Sequence, residues 1–231
     1  MSSQVPKNKW RVWRWVFRAV LCLALLPVLL SVLYSFLPPV SALMLGRMLS
    51  GQPVWRDYKP LEEISVYLQR SVVVSEDSLF CQHNGVDWQA LRGQVDKVVE
   101  GGKARGASTL TMQLAKNLFL WNDRSYLRKG LEVPLAVMLD AVLTKRRILE
   151  LYLNIAEWGP GVFGAEAAAQ TYFGSTAAKL GPAKASLLAT ALPNPIARNP
   201  AQPTTGHRRL AGINQQRMRI AGGVLACVDK P

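Results

Sequence analysis

The stretch "SEDSLFCQHNGVDW" at residues 75–88 places two adjacent carboxylates, Glu76 and Asp77, beside an apolar segment and a histidine. Polar groups packed this closely against apolar ones are typical of a reactive site. An apolar neighbour such as Phe80 raises the pKa of a carboxylate, which suits it to take a proton near neutral pH. The segment therefore raises the question of which proton is taken and which other groups must be near.

A second candidate stretch is "GASTLTMQLAKNLFL" at residues 106–120. If a helix begins near Ser108, then Thr109, Gln113 and Lys116 share one face at i, i+4 and i+7. Ser108 then stands at the N-cap, where free N–H groups attract anions. Taken alone, the pattern favours an ordinary amphipathic helix with a solvated face.

Two further stretches carry charges at helical spacing. In "NDRSYLRKGLE", a helix would align Arg124, Arg128 and Glu132 at i, i+4 and i+8. A surface ion-pair ladder would look the same, at about 0.3–0.5 kcal/mol per pair. In "KRRILELYLN", Glu150 follows Arg146 by four residues, which taken alone predicts a packed helix whose charges brace the fold.

The chain of 231 residues has room for one domain and an anchor, and its net charge of +13 predicts an anionic partner. The three cysteines match no metal spacing. Because Cys22 lies in an apolar run, only Cys81 and Cys227 could pair, and we expect them to stay unpaired.

The N-terminal region predicts a membrane anchor. Residues 1–18 are basic and rich in tryptophan, and residues 19–37 are uncharged and long enough to cross a bilayer. The positive flank predicts a cytoplasmic N-terminus and an exported domain over residues 55–231, with no nucleic-acid partner. A cleaved signal peptide is the alternative. Residues 38–54 form either a plain linker or an interfacial segment on the bilayer.

The exported part reads as mostly α-helical. Helices are predicted at 143–154, 165–173 and 207–221, with a proline-punctuated loop from 193 to 206. We find no convincing run of alternating strand residues.

Five blocks in order resemble the peptidoglycan glycosyltransferase domain of glycosyltransferase family 51: "EDSLFCQHNGVD", "GASTLTMQLAKN", "RKGLE", "KRRILELYLN" and "GAEAAAQTYFG". The resemblance extends over about residues 55–220, and the absence of an S-x-x-K motif makes the chain similar to the monofunctional members of Gram-negative bacteria. It implies a lysozyme-like helical fold.

The resemblance also implies an activity, the polymerisation of lipid II into β-1,4 glycan strands with inversion and release of polyprenyl pyrophosphate. It places the general base on Glu76 and a second essential carboxylate on Glu132. Pyrophosphate is already a good leaving group and needs its charge held. The match assigns substrate binding to a set of polar and basic residues: Ser108, Gln113, Lys116, Arg124, Arg128 and Lys129.

Two departures from the family pattern bear on geometry. Pro134 follows Glu132 closely, so it either sits in a first helical turn or kinks the helix, and Asp140 stands where relatives often have glutamate. Asp77 is expected to be a structural hydrogen-bonding partner and His83 a satisfied loop residue. We predict no protein-bound metal or cofactor, although Mg²⁺ or Mn²⁺ could accompany the substrate's pyrophosphate.

Two alternatives stay open at this point. A lysozyme-like lytic enzyme would share the fold but would need an acid for its leaving group. A membrane-anchored scaffold would use the basic charge to bind anionic lipid. As partners we expect lipid II, the growing glycan strand, the bacterial inner membrane, and cell-wall synthesis or division proteins, with the catalytic domain in the periplasm.

Overall fold

The computed structural model describes residues 8–102, 106–121, 123 and 125–229. Arg124, one of the predicted substrate-binding residues, lies outside them. Within the described residues the chain forms ten α-helices. In chain order they are α1 Asn8–Tyr34, α2 Ala42–Leu49, α3 Val66–Glu76, α4 Trp88–Val99, α5 Leu110–Phe119, α6 Tyr126–Val142, α7 Lys145–Ile155, α8 Ala165–Phe173, α9 Pro182–Ala191 and α10 Thr205–Ile220. The predicted mostly α-helical fold is confirmed.

Side chains at the N-caps explain where most of these helices begin. A hydroxyl or carboxylate at the cap accepts a hydrogen bond from a backbone N–H that has no partner inside the helix. Seven caps act in this way: Ser41, Ser65, Asp87, Thr109, Ser125, Thr144 and Thr204. The cap of α5 is therefore Thr109 and not Ser108, so the predicted N-cap was wrong by one residue.

A small sheet was not predicted from the sequence. It has the strands β1 Trp55–Arg56, β2 Glu157–Gly159 and β3 Val162–Phe163, in the order β1-β3-β2. β1 runs parallel to β3, and β2 runs antiparallel to it. Strands of two or three residues are too short to show the alternation by which a strand is recognised in a sequence.

One apolar core holds the helices together. It contains fully buried side chains from α3, α5, α7, α8 and α9, among them Leu68 and Leu114, together with Trp158 of β2. Ala165, Ala167, Ala168 and Ala169 on α8 are all buried, and such small side chains let neighbouring backbones approach closely. The core fixes α3, α5 and α6 relative to one another, and these helices carry the predicted site.

The loop between α3 and α4 is pressed against α6. Gly85 has a φ of +79°, and a Cβ there would stand 2.5 Å from the carbonyl oxygen of Ala136. The backbone oxygen of Gly85 accepts a hydrogen bond from Thr109 Oγ1 at 2.6 Å. Only glycine allows this approach, which ties the loop to α5 and α6 at once.

A disulfide joins the same loop to the end of the described chain. Cys81 and Cys227 are bonded, with their Cα atoms 5.4 Å apart, and Leu225 and Val228 beside Cys227 are buried. The expectation of unpaired cysteines was therefore wrong. The two residues are 146 positions apart, and sequence spacing contains no information about such a contact.

The first helix begins at Asn8 and is continuous from there through the rest of the basic segment and the apolar run. It is long and apolar enough over Trp10–Tyr34 to cross a membrane. Its C-terminal end contacts the globular part: Ser31 is buried and donates to Met138 Sδ at 3.3 Å, and the Tyr34 ring stacks on Phe119 at 6.5 Å between centroids.

Pro134 lies inside α6 and not in a first turn. Eight helical residues precede it, and Glu132 remains buried and paired two positions before it. Asp140, the other departure from the family pattern, forms an ion pair with Lys145 at 2.6 Å and so links α6 to the start of α7.

Candidate active site

Glu76 is the last residue of α3 and lies at the edge of a cleft. The cleft has a volume of about 130 Å³, and Glu76 lines it together with residues of the segment that leads into α5, including Ser108. A carboxylate in the last turn of a helix faces the negative end of the helix dipole. The position is therefore unfavourable for a negative charge and suits a group that must accept a proton.

A hydrogen-bond chain holds the carboxylate in place. Glu76 Oε2 accepts from Gln113 Nε2 at 3.1 Å, and Gln113 Oε1 accepts from the hydroxyl of Tyr152 at 2.8 Å. Tyr152 is fully buried, and burial together with the nearby charge of Glu76 raises the pKa of its phenol, so it stays a donor. Its donation fixes which way the amide of Gln113 points.

Burial raises the pKa of Glu76 above its ordinary value. The hydrogen bonds from Gln113 and Ser75 oppose this shift, as does the charge of Arg198, while the charge of Asp77 adds to it. A carboxylate with a raised pKa is a stronger base than one in water.

Asp77 has a structural role, unlike its neighbour Glu76. Its Oδ2 accepts from the backbone N–H of Leu110, the first residue of α5, at 2.9 Å. Its carboxylate also contacts His83 Nε2 at 3.0 Å. Asp77 thus anchors the start of α5 beside the end of α3, as the sequence analysis expected. His83 is partnered through Nε2, but its buried Nδ1 has no hydrogen-bond partner among the described residues.

A cluster of cations surrounds Glu132, which is buried on α6. Arg128 Nη1 donates to one carboxylate oxygen, and Lys129 Nζ lies 2.7 Å from the other. Lys129 Nζ also donates to Ser108 Oγ, which connects α6 to the segment before α5. Glu132 therefore serves to hold two cations, and the predicted alignment of Arg128 with Glu132 on one helix face is confirmed.

Lys116 completes this cluster from α5. Burial lowers the pKa of its ammonium, and the charge of Glu132 opposes that shift. Among the described residues, no carboxylate lies within ion-pair distance of Lys116. Its ammonium is thus a partly desolvated positive charge in need of an anion.

The structure brings together seven of the eight predicted site residues. Glu76 and Gln113 are in direct contact, and Ser108, Arg128, Lys129 and Glu132 form one network. The charges of that network affect the pKa of Lys116. Arg124, the eighth, lies outside the described residues. Among the residues described, no group of three His, Cys, Asp or Glu side chains could hold a metal ion.

Two residues of the site were missed at the level of sequence. In the sequence, Tyr152 falls on the apolar side of its helix with Ile148 and Leu151, and a tyrosine there resembles any other core residue. Arg198 lies in the proline-punctuated loop and donates to the carbonyl oxygen of Thr190 at 2.6 Å, near enough to Glu76 for its charge to affect that pKa. No spacing rule links a loop arginine to a carboxylate this far along the chain.

Comparison with known protein families matches residues 43–219 to the family described as transglycosylase. The match covers well over half of the chain. The protein belongs to the transglycosylase family.

Curated relatives agree with this assignment. The transglycosylase is 53% identical over 213 residues to the biosynthetic peptidoglycan transglycosylase of Brucella suis, which covers 91% of this chain and 95% of the relative. It is 51% identical over 215 residues to the protein of the same name from Agrobacterium fabrum, covering 92% and 95%. A third such protein, from Rhodopseudomonas palustris, is 50% identical over 220 residues, covering 95% and 93%. The family resemblance carried by the five sequence blocks is confirmed.

Proposed function

We propose that this transglycosylase polymerises lipid II into glycan strands for the bacterial cell wall, with Glu76 as the general base. The observation that carries the proposal is the connection of two environments through Ser108. A carboxylate with a raised pKa, Glu76, lines a cleft together with Ser108, and Ser108 accepts a hydrogen bond from Lys129 of the cation cluster around Glu132. Such a site can deprotonate an alcohol and stabilise an anionic leaving group.

The reaction follows from these roles. The 4-hydroxyl oxygen of the acceptor sugar attacks the anomeric carbon of the growing strand, and its proton passes to Glu76. The bond from that carbon to the pyrophosphate oxygen breaks, and its electron pair leaves with the pyrophosphate. Attack from the face opposite the leaving group inverts the anomeric centre.

The cations are assigned to the leaving group. Lys116, Arg128 and Lys129 are suited to phosphate oxygens, because charge-assisted hydrogen bonds to phosphate are strong and a guanidinium can bind two oxygens at once. Ser108 adds a hydroxyl at the edge of the cleft, and Glu132 positions the cations. Arg124 remains a predicted pyrophosphate ligand on the basis of the family match.

Hydrolysis of finished strands fits the site less well. A glycosidase needs a protonated carboxyl to assist an uncharged leaving group. Both carboxylate oxygens of Glu132 are bound by Arg128 and Lys129, so neither is free to reach a leaving group and Glu132 is unsuited to that role.

We assign no bound cofactor to the protein. Mg²⁺ or Mn²⁺ can bridge the oxygens of pyrophosphate, and Mg²⁺ in particular binds through few protein ligands and through substrate phosphates. Polymerisation assayed with and without a chelator tests this assignment.

The chain is placed in the inner membrane with its N-terminus in the cytoplasm and its catalytic domain in the periplasm. The apolar helix α1, the basic residues in its N-terminal part and the Cys81–Cys227 disulfide support this topology, since disulfides persist in the periplasm. The packing of Ser31 and Tyr34 against the domain favours a retained anchor over a cleaved signal.

Leu45, Met48 and Leu49 on α2 are exposed and suit an interfacial segment.

The decisive experiment is to incubate the purified full chain with labelled lipid II and to look for polymer. Polymer is expected from the natural chain and none from Glu76→Gln. Isolated sacculi should release no soluble fragments. Polymer formed by a folded Glu76→Gln variant at the natural rate would remove Glu76 from the mechanism, and a chain that digests sacculi would be a lytic enzyme.

Cell-wall synthesis or division proteins remain expected partners, to be sought by co-purification from membranes.

A further inference from the structure

The helix α4 presents an apolar face on which only Leu91 packs partly against the core of the described residues. Leu91, Val95 and Val98 lie at i, i+4 and i+7, so they share one side of the helix. None of the twelve residues of α4 is buried, and Val95 and Val98 are 55% and 47% exposed. Val95 and Val98 are not among the residues packed against the core, and exposed apolar side chains of this kind require another apolar partner.

The apolar face forms one wall of a groove, which we call the α4 groove. Leu91, Val95 and Val98 line it on one side and Tyr126, at the start of α6, lines it on the other. It encloses about 410 Å³, and Lys129 carries the only charge among the described residues that line it.

Lys129 and its partner Ser108 connect the α4 groove to the cleft that contains Glu76. Ser108 and Lys129 line the α4 groove and are hydrogen-bonded to each other, and Ser108 also lines the cleft that contains Glu76. The groove is therefore continuous with the cation cluster around Glu132. A ligand that fits both must join an anionic head to a long apolar chain.

We infer that the α4 groove binds the first isoprene units of the polyprenyl chain of the lipid-linked donor, next to its pyrophosphate. The inference rests on the proposed function, which places that pyrophosphate at Lys129 and Ser108. The donor is favoured over the acceptor because the leaving pyrophosphate belongs to the donor. A chain held along Leu91, Val95 and Val98 keeps the pyrophosphate beside the cations until the acceptor's hydroxyl displaces it.

The inference predicts that the affinity of the site for the donor depends on the length of the donor's polyprenyl chain. A polyprenyl chain long enough to lie along α4 gains apolar contacts that a very short chain cannot make. A hydroxyl introduced into the groove has no hydrogen-bond partner there once the chain is bound, and it weakens binding of the long chain alone.

The test uses the double variant V95T/V98T in the full-length chain. Threonine has nearly the shape and helix propensity of valine, so the change alters polarity with little effect on the fold. The matched control is V66T/V137T, which changes two exposed valines at 48% and 41% exposure outside the groove. Thermal unfolding in detergent checks that all three proteins are folded.

The first measurement is steady-state polymerisation in detergent of lipid II with a 55-carbon chain and of a short-chain analogue in which a methyl group replaces the polyprenyl chain. We expect V95T/V98T to raise KM for the long chain about tenfold, in the range that one or two methylene contacts give, with kcat unchanged. KM for the short-chain analogue should not change, and the control should behave as the natural chain does. Equal effects on the two substrates, or no effect on either, would overturn the inference.

The second measurement is direct binding by calorimetry of a 55-carbon polyprenyl pyrophosphate and of inorganic pyrophosphate. The natural chain should bind the former more tightly, and V95T/V98T should lose that difference. This result does not depend on turnover, so a chain that binds polyprenyl pyrophosphate but makes no polymer would refute the proposed function and leave the inference standing. If the substitutions instead weaken attachment to vesicles that contain no substrate, the bilayer covers α4 and the inference is wrong.

Discussion

Gln113 donates its side-chain amide to the carboxylate of Glu76 across 3.1 Å, from the middle of α5 to the end of α3. The contact joins the two sequence blocks that carry most of the chemistry. Because Tyr152 donates to the other end of the same amide, a fully buried phenol on α7 determines the orientation of a group that touches the proposed base.

The pH dependence of the reaction follows from the raised pKa of Glu76. The base acts only when ionised, so the rate should fall as the pH drops through a pKa that lies above the ordinary value of 4.5. The hydrogen bond from Gln113 lowers this pKa, and its removal in Gln113→Ala should raise it further. The acid limb of kcat/KM should therefore move to higher pH. An acid limb that stays in place, or moves to lower pH, would show that Gln113 does not act on the titrating group.

Tyr152→Phe tests the outer link of the chain. The phenylalanine fills nearly the same volume, so the core should keep its packing, but the carbonyl oxygen of Gln113 loses its donor. The amide can then rotate away from Glu76, and kcat should fall while KM changes little. Leu151→Met, a buried neighbour on α7, serves as the packing control. If the two variants lose the same stability and the same activity, Tyr152 is only a core residue.

Glu76→Gln should separate activity from stability. A carboxyl group whose pKa is higher in the folded than in the unfolded chain destabilises the folded state once it is ionised. At neutral pH the glutamine removes this cost, so the melting temperature should equal or exceed that of the natural chain. Below pH 4 the natural carboxyl is protonated and the difference in melting temperature should vanish. A variant that melts lower at pH 7 would contradict the raised pKa.

Lys116→Ala should cost activity out of proportion to stability. Loss of one charge-assisted contact in a site shielded from water is worth roughly 2–4 kcal/mol of transition-state stabilisation, which is about a hundredfold in rate. Since burial disfavours the ammonium, its removal should not lower the melting temperature. Lys179→Ala, at an exposed position, is the matched control, and a Lys116→Ala variant as active as this control would exclude Lys116 from pyrophosphate binding.

Arg147 should govern how α1 is attached to the domain. Its guanidinium donates to the carbonyl oxygens of Tyr34 and Leu37, at 2.8 and 2.9 Å, and also contacts Tyr58 and Glu150. A cation at the C-terminal end of a helix satisfies carbonyl groups that lack partners there. In Arg147→Ala, protease cleavage between α1 and the domain should become faster in detergent, whereas in Arg208→Ala, at an exposed position of α10, it should not. Unchanged cleavage in Arg147→Ala would mean that the packing of Ser31 and Tyr34 suffices.

The sequence by itself determined the helices and the family. Periodic apolar residues and cap residues are local signals, so α7, α8 and α10 were placed within two residues of their ends, and α8 at its own bounds. The five blocks indicated the reaction because residue types in a fixed order carry a family's chemistry.

Only the tertiary structure decided which of these residues meet, because contacts between distant positions leave no periodic trace. The pairing of Cys81 with Cys227, the reach of Tyr152 through Gln113 to Glu76 and the exposed apolar face of α4 all depend on how the core packs the helices. The pKa of Glu76 is decided in the same way, since it depends on how deeply folding buries the end of α3. A sequence names the groups that can react, and the fold sets the distances and the loss of water that make them do so.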